Sequence, residues 1–526
     1  MIKIMKNMKK ITAIVLSGVM LLATSCSKYL DINDNPNAAT SATPELILPQ
    51  ALTYSASIVS SFNNHGAQVG GYAANAGGYG GFGTAITYNF SSSDNSGLFT
   101  SSYDLLEDYQ SILNQTAGDA NYSYHNAVAR IMKSYHFQLL VDTYNDVPYT
   151  EALQGATKLT PAYTDAKLIY KDIASQIDSA FAAFAVGAAN ATVKPLGTAD
   201  VMFAGNITKW KQFANTLKLR ILVRGNGKTT FANSTFDAAG FLTADAMVNP
   251  GYTRDNGRQN PKWNTWGWSY TGGSGNKAWM PTTFAKTFYD GIKLTDDGRG
   301  AAMYYQFPTT PTNQLGNEGT AVVSSPEGTF WFPSTSRVGT AAGNSTGALK
   351  GPNAGLPLIT AAESYFIQAE AALKGIITGT PATLFTNGIT ASFKYLYMLP
   401  DGSYSGNPTT DAAAYLVENN ASALVNYSLA TSDAQKLEAI ITQKWIALNF
   451  VNSDQSWNDY RRTGYPKVIS TAGATAIQTF ASKVSESTRA DKLPTRLLYP
   501  PSEGSYNSTN VPKGISPFSS LIFWAQ

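Results

Sequence analysis

Apolar residues return at three- and four-residue spacing in one segment after another of this chain, a period that helices satisfy and strands do not. The clearest case is Tyr122–Tyr144, where Val128, Ile131, Met132, Tyr135, Leu139 and Leu140 share a face. Thr43–Ser60 carries Leu46, Ile47, Leu52, Ile58 and Val59, with Pro44 tolerated in the first turn. Leu105–Leu113 precedes Tyr122–Tyr144 as its partner, Asp165–Phe184 pairs with Thr208–Val223, Ala361–Leu373 with Ala382–Tyr397, and Ser432–Phe450 is the last long segment. Helix pairs of this length with alanine-rich faces stack closely, so the expected fold is mostly α, built on degenerate tetratricopeptide-like hairpins that lack the strict repeat signature. An irregular helical bundle fits the same pattern.

Between the periodic segments lie stretches with no helical period, Asn63–Asn95, Gly251–Met280 and Phe307–Gly355, read as loop insertions of about 63–100, 251–280 and 307–355. The second holds Trp263, Trp266, Trp268 and Trp279, four of the nine tryptophans, beside Tyr252 and Tyr270. Arg254, Asn256, Arg258, Gln259, Asn260, Asn264 and Asn276 are interleaved with them. Flat rings stack on the C–H face of a sugar while amides and guanidinium groups satisfy its hydroxyls, so this loop is expected to present an exposed stacking platform. The competing reading is that the tryptophans pin the loop to the helical core, and Trp279, just before a helical start at Pro281, is the one expected to be most buried. The glycine-rich loop adds Tyr72, Tyr79, Phe82 and Tyr88 with Asn63, Asn64 and Asn75. Its Gly-x-Gly fragments follow no strand, which excludes a dinucleotide fingerprint.

The N-terminus reads as an address. Lys3, Lys6, Lys9 and Lys10 precede the apolar run Ile11–Ala23, which is too short to span a bilayer, and small residues lead into Cys26, the only cysteine. Residues 1–25 are therefore expected to be a signal peptide, Cys26 a lipidated residue at a lipoprotein cleavage site, and 26–40 a tether, with the domain occupying 41–526. Several acyl chains on Cys26 make a stable anchor. Of 38 basic and 35 acidic residues, four basic ones leave with the signal, so the mature net charge is −1 and nucleic acid is not an expected partner.

Enzyme chemistry finds little material. A glycosidase needs two carboxylates flanking the scissile bond, and near the tryptophan loop only Asp255, Asp290, Asp296 and Asp297 are available. Asp296-Asp297-Gly298-Arg299 reads as a turn with a local ion pair. His125 and His136 lie near one helix face with no third ligand, and neither a G-x-S-x-G nor an H-E-x-x-H motif occurs. No cofactor is expected. The loops carry enough Asp and Asn to hold a structural calcium, but no D-x-[DN]-x-[DN]-G loop is present.

Five segments in order resemble the SusD/RagB-like outer-membrane lipoproteins, in particular the branch with an NPN tether: the lipobox with DINDNPN at Asp31–Asn37, DTYNDVPYTEAL at Asp142–Leu153, AAESYFIQAEAAL at Ala361–Leu373, WNDYRRTGYP at Trp457–Pro466 and LPTRLLYPPSE at Leu493–Glu503. The resemblance implies one SusD-like domain with four tetratricopeptide-like helix pairs, irregular loops and minor β. It implies a non-catalytic, cell-surface lipoprotein that captures oligosaccharides, or in some members peptides, for a SusC-like TonB-dependent outer-membrane transporter. A surface glycoside hydrolase is the third reading. Within these motifs Glu363 and Glu370, seven apart on one helix face, are expected to bond neighbouring helices, and Arg461, Arg462 and Arg496 to hold loop carbonyls or carboxylates. The ligand-binding candidates, Trp263, Trp266, Trp268, Tyr270, Trp279, Tyr72, Tyr79, Phe82, Asn264 and Arg254, rest on composition and loop position alone.

Overall fold

The computed structural model describes residues 42–319, 328–335, 337, 339–469, 471 and 473–526. The expected signal peptide, Cys26 and the tether lie outside them. The long helices are α1 (Pro44–Val69), α2 (Gly97–Gln115), α3 (Ser123–Tyr144), α4 (Ala166–Ala189) and α5 (Ile207–Gly225), then the short α6 (Pro261–Trp266), and α7 (Ala361–Leu373), α8 (Pro381–Tyr397), α9 (Pro408–Glu418), α10 (Asp433–Ala447) and α11 (Ser453–Thr463). Many starts carry side-chain caps. Asp165 accepts from Lys167 and Leu168, Asn206 from Lys209, Thr360 from Glu363, and Ser432 with Gln435 closes a capping box on α10.

Sequential helices pack side by side: α2 on α3, α3 on α4, α4 on α5, and α7 on α8. The expected pairs are all in contact. The row closes because α1 lies against both α2 and α11, while α7 touches α5 and α10. Small antiparallel ladders complete the fold: β1 (Ala73–Asn75) with β3 (Trp279–Pro281), and β2 (Ala246–Val248) with β4 (Leu356–Ile359). The architecture is the mostly helical one read from the periodicity.

Helix α1 runs nine residues beyond its expected end at Ser60, into the stretch read as loop. Its last turns are polar and small yet buried, because they meet α11. Asn63 accepts the amide of Ser453 at 3.0 Å. Gly66 lies so close to that helix that a Cβ there would sit 2.1 Å from the Asp454 nitrogen.

Buried ion pairs join the helices. Arg220 of α5 meets Glu363 of α7 at 3.0 Å, Arg224 meets Asp142, and Lys444 meets Asp459 at 2.8 Å. Arg461 donates to the carbonyls of Thr495 and Asp142, and Arg496 to those of Tyr144 and Leu497. The expected roles of Glu363, Glu370 and the three arginines as helix and loop clasps are what the structure shows. Asp296 and Arg299 do form a local pair at 2.6 Å, but inside the buried first turn of a short helix, Asp297–Met303, with the guanidinium over Phe393 and Tyr415. His125 and His136 are buried. Among the described residues no group of three His, Cys, Asp or Glu side chains is placed to hold a metal, and no helix is long and apolar enough to cross a membrane.

Candidate functional site

The loop tryptophans do not form an exposed platform. Trp263 and Trp266 sit on α6, started by Pro261 and capped by Asn260, and with Trp268 they point inward and are buried. Trp263 lies 5.2 Å from Trp268 and 5.4 Å from Phe332. Trp266 meets Trp331 edge-on at 5.6 Å and Phe450 at 4.8 Å, while Trp331 stacks on Phe450 at 4.2 Å. The Trp266 indole N–H donates to Asn64 at 2.7 Å, fixing loop to α1. Trp268 is pressed against Gly328, whose φ of +80° and lack of side chain permit the contact. The physical reason is burial. Each large ring removes some 150–250 Å² from water, and rings supplied by distant segments make that possible where the local backbone has little regular structure. Tyr72 is likewise interior, stacked 4.4 Å from Trp445 and donating to its carbonyl. Trp279, expected to be the most enclosed, is buried but the least enclosed of the four at 8% exposure; it lies on β3, and a one-turn helix, Thr283–Lys286, starts two residues after Pro281.

What remains exposed is a rim of smaller rings on the glycine-rich loop and on the hairpin after Trp268. Pairing of β1 with β3 sets the glycine-rich loop beside the arm that follows Ser274, the Ala76 amide donating to the Ala278 carbonyl at 2.8 Å. Phe82, half-buried, meets Trp279 edge-on at 5.3 Å, and Tyr79 on the same loop is 39% exposed. Tyr270 is 43% exposed at the tip of a hairpin closed by the bridge between Trp268 and Ser274. Asn264 is exposed and accepts from Gln259. Of the ten candidates, Tyr79, Phe82, Tyr270 and Asn264 thus reach the surface, with Trp279 at its edge.

Arg254 stands apart, in a cavity of about 470 Å³ that Asn344, Asn353 and Asp401 also line. One guanidinium nitrogen donates to the Ala342 carbonyl, another is shielded without a partner, and burial lowers the group's pKa. Asp401 was not a sequence candidate; the Pro400-Asp401-Gly402 turn signal after α8 was the available pointer. Its carboxyl pKa is lowered by the Ser403 hydroxyl and amide, the opposite of what a general acid requires. The arrangement suits binding: partly exposed rings and the exposed amide of Asn264 on the loops, with the Arg254 guanidinium in a cavity of its own.

The chain matches, over residues 36–500, the model of a SusD-like family described as starch-binding and associating with the outer membrane. Among curated proteins none matches the sequence. Solved structures with the same fold include a SusD homologue from Bacteroides fragilis, 19% identical with a TM-score of 0.67, covering 92% of this chain and 100% of that one. One from Bacteroides uniformis is 21% identical with a TM-score of 0.67, covering 91% and 99%. A chitin-binding SusD homologue from Flavobacterium johnsoniae is 20% identical with a TM-score of 0.63, covering 90% and 98%. Helical row, loop elaborations and sequence family agree, and the chain belongs to the SusD-like family of starch-binding proteins that associate with the outer membrane.

Proposed function

We propose that this protein is a non-catalytic, lipid-anchored lipoprotein of the cell surface that binds oligosaccharides and hands them to a SusC-like TonB-dependent transporter. The observation that carries the reading is the rim rings themselves: Tyr79 and Tyr270 are exposed on their two loops, and half-buried Phe82 meets Trp279 edge-on. A ring that is already held loses little rotamer entropy when a sugar stacks on it. The family's starch-binding description and the chitin-binding relative favour a neutral glycan. Anchoring at Cys26 follows from the small residues before the only cysteine.

The test is affinity electrophoresis in gels containing soluble starch-type glucan, with calorimetry against chito-oligosaccharide and peptide panels. Retention by a glycan supports the reading. Binding of peptides alone overturns it in favour of a peptide-capturing subunit, and reducing-sugar release from a retained glycan overturns its non-catalytic part.

A further inference from the structure

A second concave surface lies away from the rim, where α7, α8 and the 398–404 turn meet. Its volume is about 450 Å³, within the ~300–1,000 Å³ range of small-molecule sites. Asn387, Thr390, Lys394 and Met398 follow one another at three- and four-residue spacing, so they form one stripe along α8 and its exit. The opposite face of that helix is apolar and buried, with Phe385, Ile389, Phe393 and Leu396 in the core. The stripe is therefore the solvent side of a fixed helix.

Two tyrosines stand over the stripe. Tyr365 of α7 is half-buried, and Tyr404 is 48% exposed, more open than Tyr79 or Tyr270. Tyr404 is held by its backbone. It bridges Met398, Leu399 donates to and accepts around the turn through Ser403 and Gly402, and Ser405 donates to Tyr397 at 2.9 Å. Asp401 accepts both the amide and the hydroxyl of Ser403, closing the turn. The turn thus sets the Tyr404 ring at the surface on the wall of the pocket.

The polar groups around these rings are of mixed kind. Asp245 spends one carboxylate oxygen on the Ala361 amide at the start of α7, at 2.8 Å, and its other oxygen takes no hydrogen bond among the described residues. Burial pushes its pKa up. Lys394 is exposed on the wall of the pocket. The buried Lys350 ammonium offsets the Asp245 carboxylate, and the carboxylate, amide, hydroxyl and ammonium groups lining the pocket match the mixed donors and acceptors of a polyhydroxy ligand.

We propose that this concavity is a second binding site for neutral oligosaccharide, with Tyr404 and Tyr365 as stacking rings and Asp245, Asn387 and Lys394 as hydroxyl partners. The inference rests on the glycan-binding reading above and extends it. Two shallow sites on one rigid platform would grip a long chain more firmly than either alone, because the second contact is made at high effective concentration.

The experiment compares retention on soluble starch-type glucan and binding of chitohexaose for five forms of the mature chain: wild type, Tyr404→Ala, Tyr404→Phe, the rim variant Tyr79→Ala/Tyr270→Ala, and the triple variant. Tyr404→Ala is expected to weaken retention about fivefold, Tyr404→Phe to restore it, and the triple variant to lose the residual binding of the rim variant, all with unchanged melting temperature. Tyr404→Ala indistinguishable from wild type in both backgrounds overturns this site and leaves the glycan reading standing. Failure of the wild type to retain any glycan overturns that reading and this site with it. Loss in Tyr404→Ala with no effect of the rim substitutions supports this site while removing the rim. Capture of peptide rather than glycan at Tyr404 overturns the assignment of ligand class.

Discussion

Arg462 and Glu370 form a forked pair between α11 and α7, one guanidinium nitrogen 2.5 Å from Oε1 and the other 2.8 Å from Oε2. Lys374 adds a third donor to the same carboxylate at 2.6 Å, and Arg462 also reaches Asp459 at 3.1 Å. Both members of the pair are almost wholly shielded from water. Removing one side of such a pair leaves a buried charge without compensation, so Glu370→Gln is expected to cost about 3–5 kcal/mol. Chemical denaturation at neutral pH measures this, with the slope against denaturant unchanged.

Gly66 marks the closest approach of α1 to α11, where an added methyl group would overlap the backbone of Ser453 and Asp454. Backbone cannot swing aside as a side chain can. Gly66→Ala is expected to destabilise by about 3 kcal/mol, read as a lowered melting temperature, whereas Gly118→Ala, with open space around it, is limited to the strain of its positive φ.

Burial holds the imidazoles of His65 and His136 neutral, pushing each pKa down to about 3, with the Arg461 charge adding to the effect at His65. The folded value lies below the unfolded one, so the unfolded state takes up protons first as the solution is acidified. The stabilising contribution is complete above about pH 6.5 and is lost as pH falls from there towards 3, at roughly 1.4 kcal/mol per unit for each histidine. Asp454 acts in the opposite sense. Burial raises its carboxyl to about 6, so its contribution grows as pH falls through 6. Replacing His136, whose Nε2 meets the Ser55 hydroxyl at 2.8 Å, by glutamine should flatten the pH dependence of stability between 6.5 and 4.5, as denaturation at stepped pH would record.

The two kinds of loop aromatic should separate by mutation. Trp266→Ala removes a ring packed on Trp331 and Phe450 and is expected to cost about 3–5 kcal/mol. Tyr270→Ala, at an exposed hairpin tip, should change stability by no more than about 0.5 kcal/mol. Thermal denaturation of the two variants side by side checks the contrast.

The helices were legible because their apolar residues are spaced by a local rule, as in Val128 to Leu140 of α3. The end of α1 was not, since Asn63, His65 and Gly66 carry no apolar signal and are buried only because α11, nearly four hundred residues away, lies on them. The glutamate spacing in α7 was enough to place Glu363 and Glu370 on one face, and the structure supplied their partners Arg220 and Arg462. The tryptophan cluster shows the limit in the other direction. Ring content in residues 263–268 was plain, but whether those rings face water depends on Trp331, Phe332 and Phe450, whose proximity no local pattern encodes. Tyr404 escaped notice for the same reason, a lone aromatic after a turn until α7 and α8 are brought beside it.

Calorimetric titration of starch-type and chitin-type oligosaccharides into the wild type and into Tyr79→Ala/Tyr270→Ala tests the central claim most directly. Open stacking rings on the rim require the double variant to bind about tenfold more weakly at an unchanged melting temperature. Equal affinity in the two proteins, or a wild type that takes up no oligosaccharide, would contradict the claim.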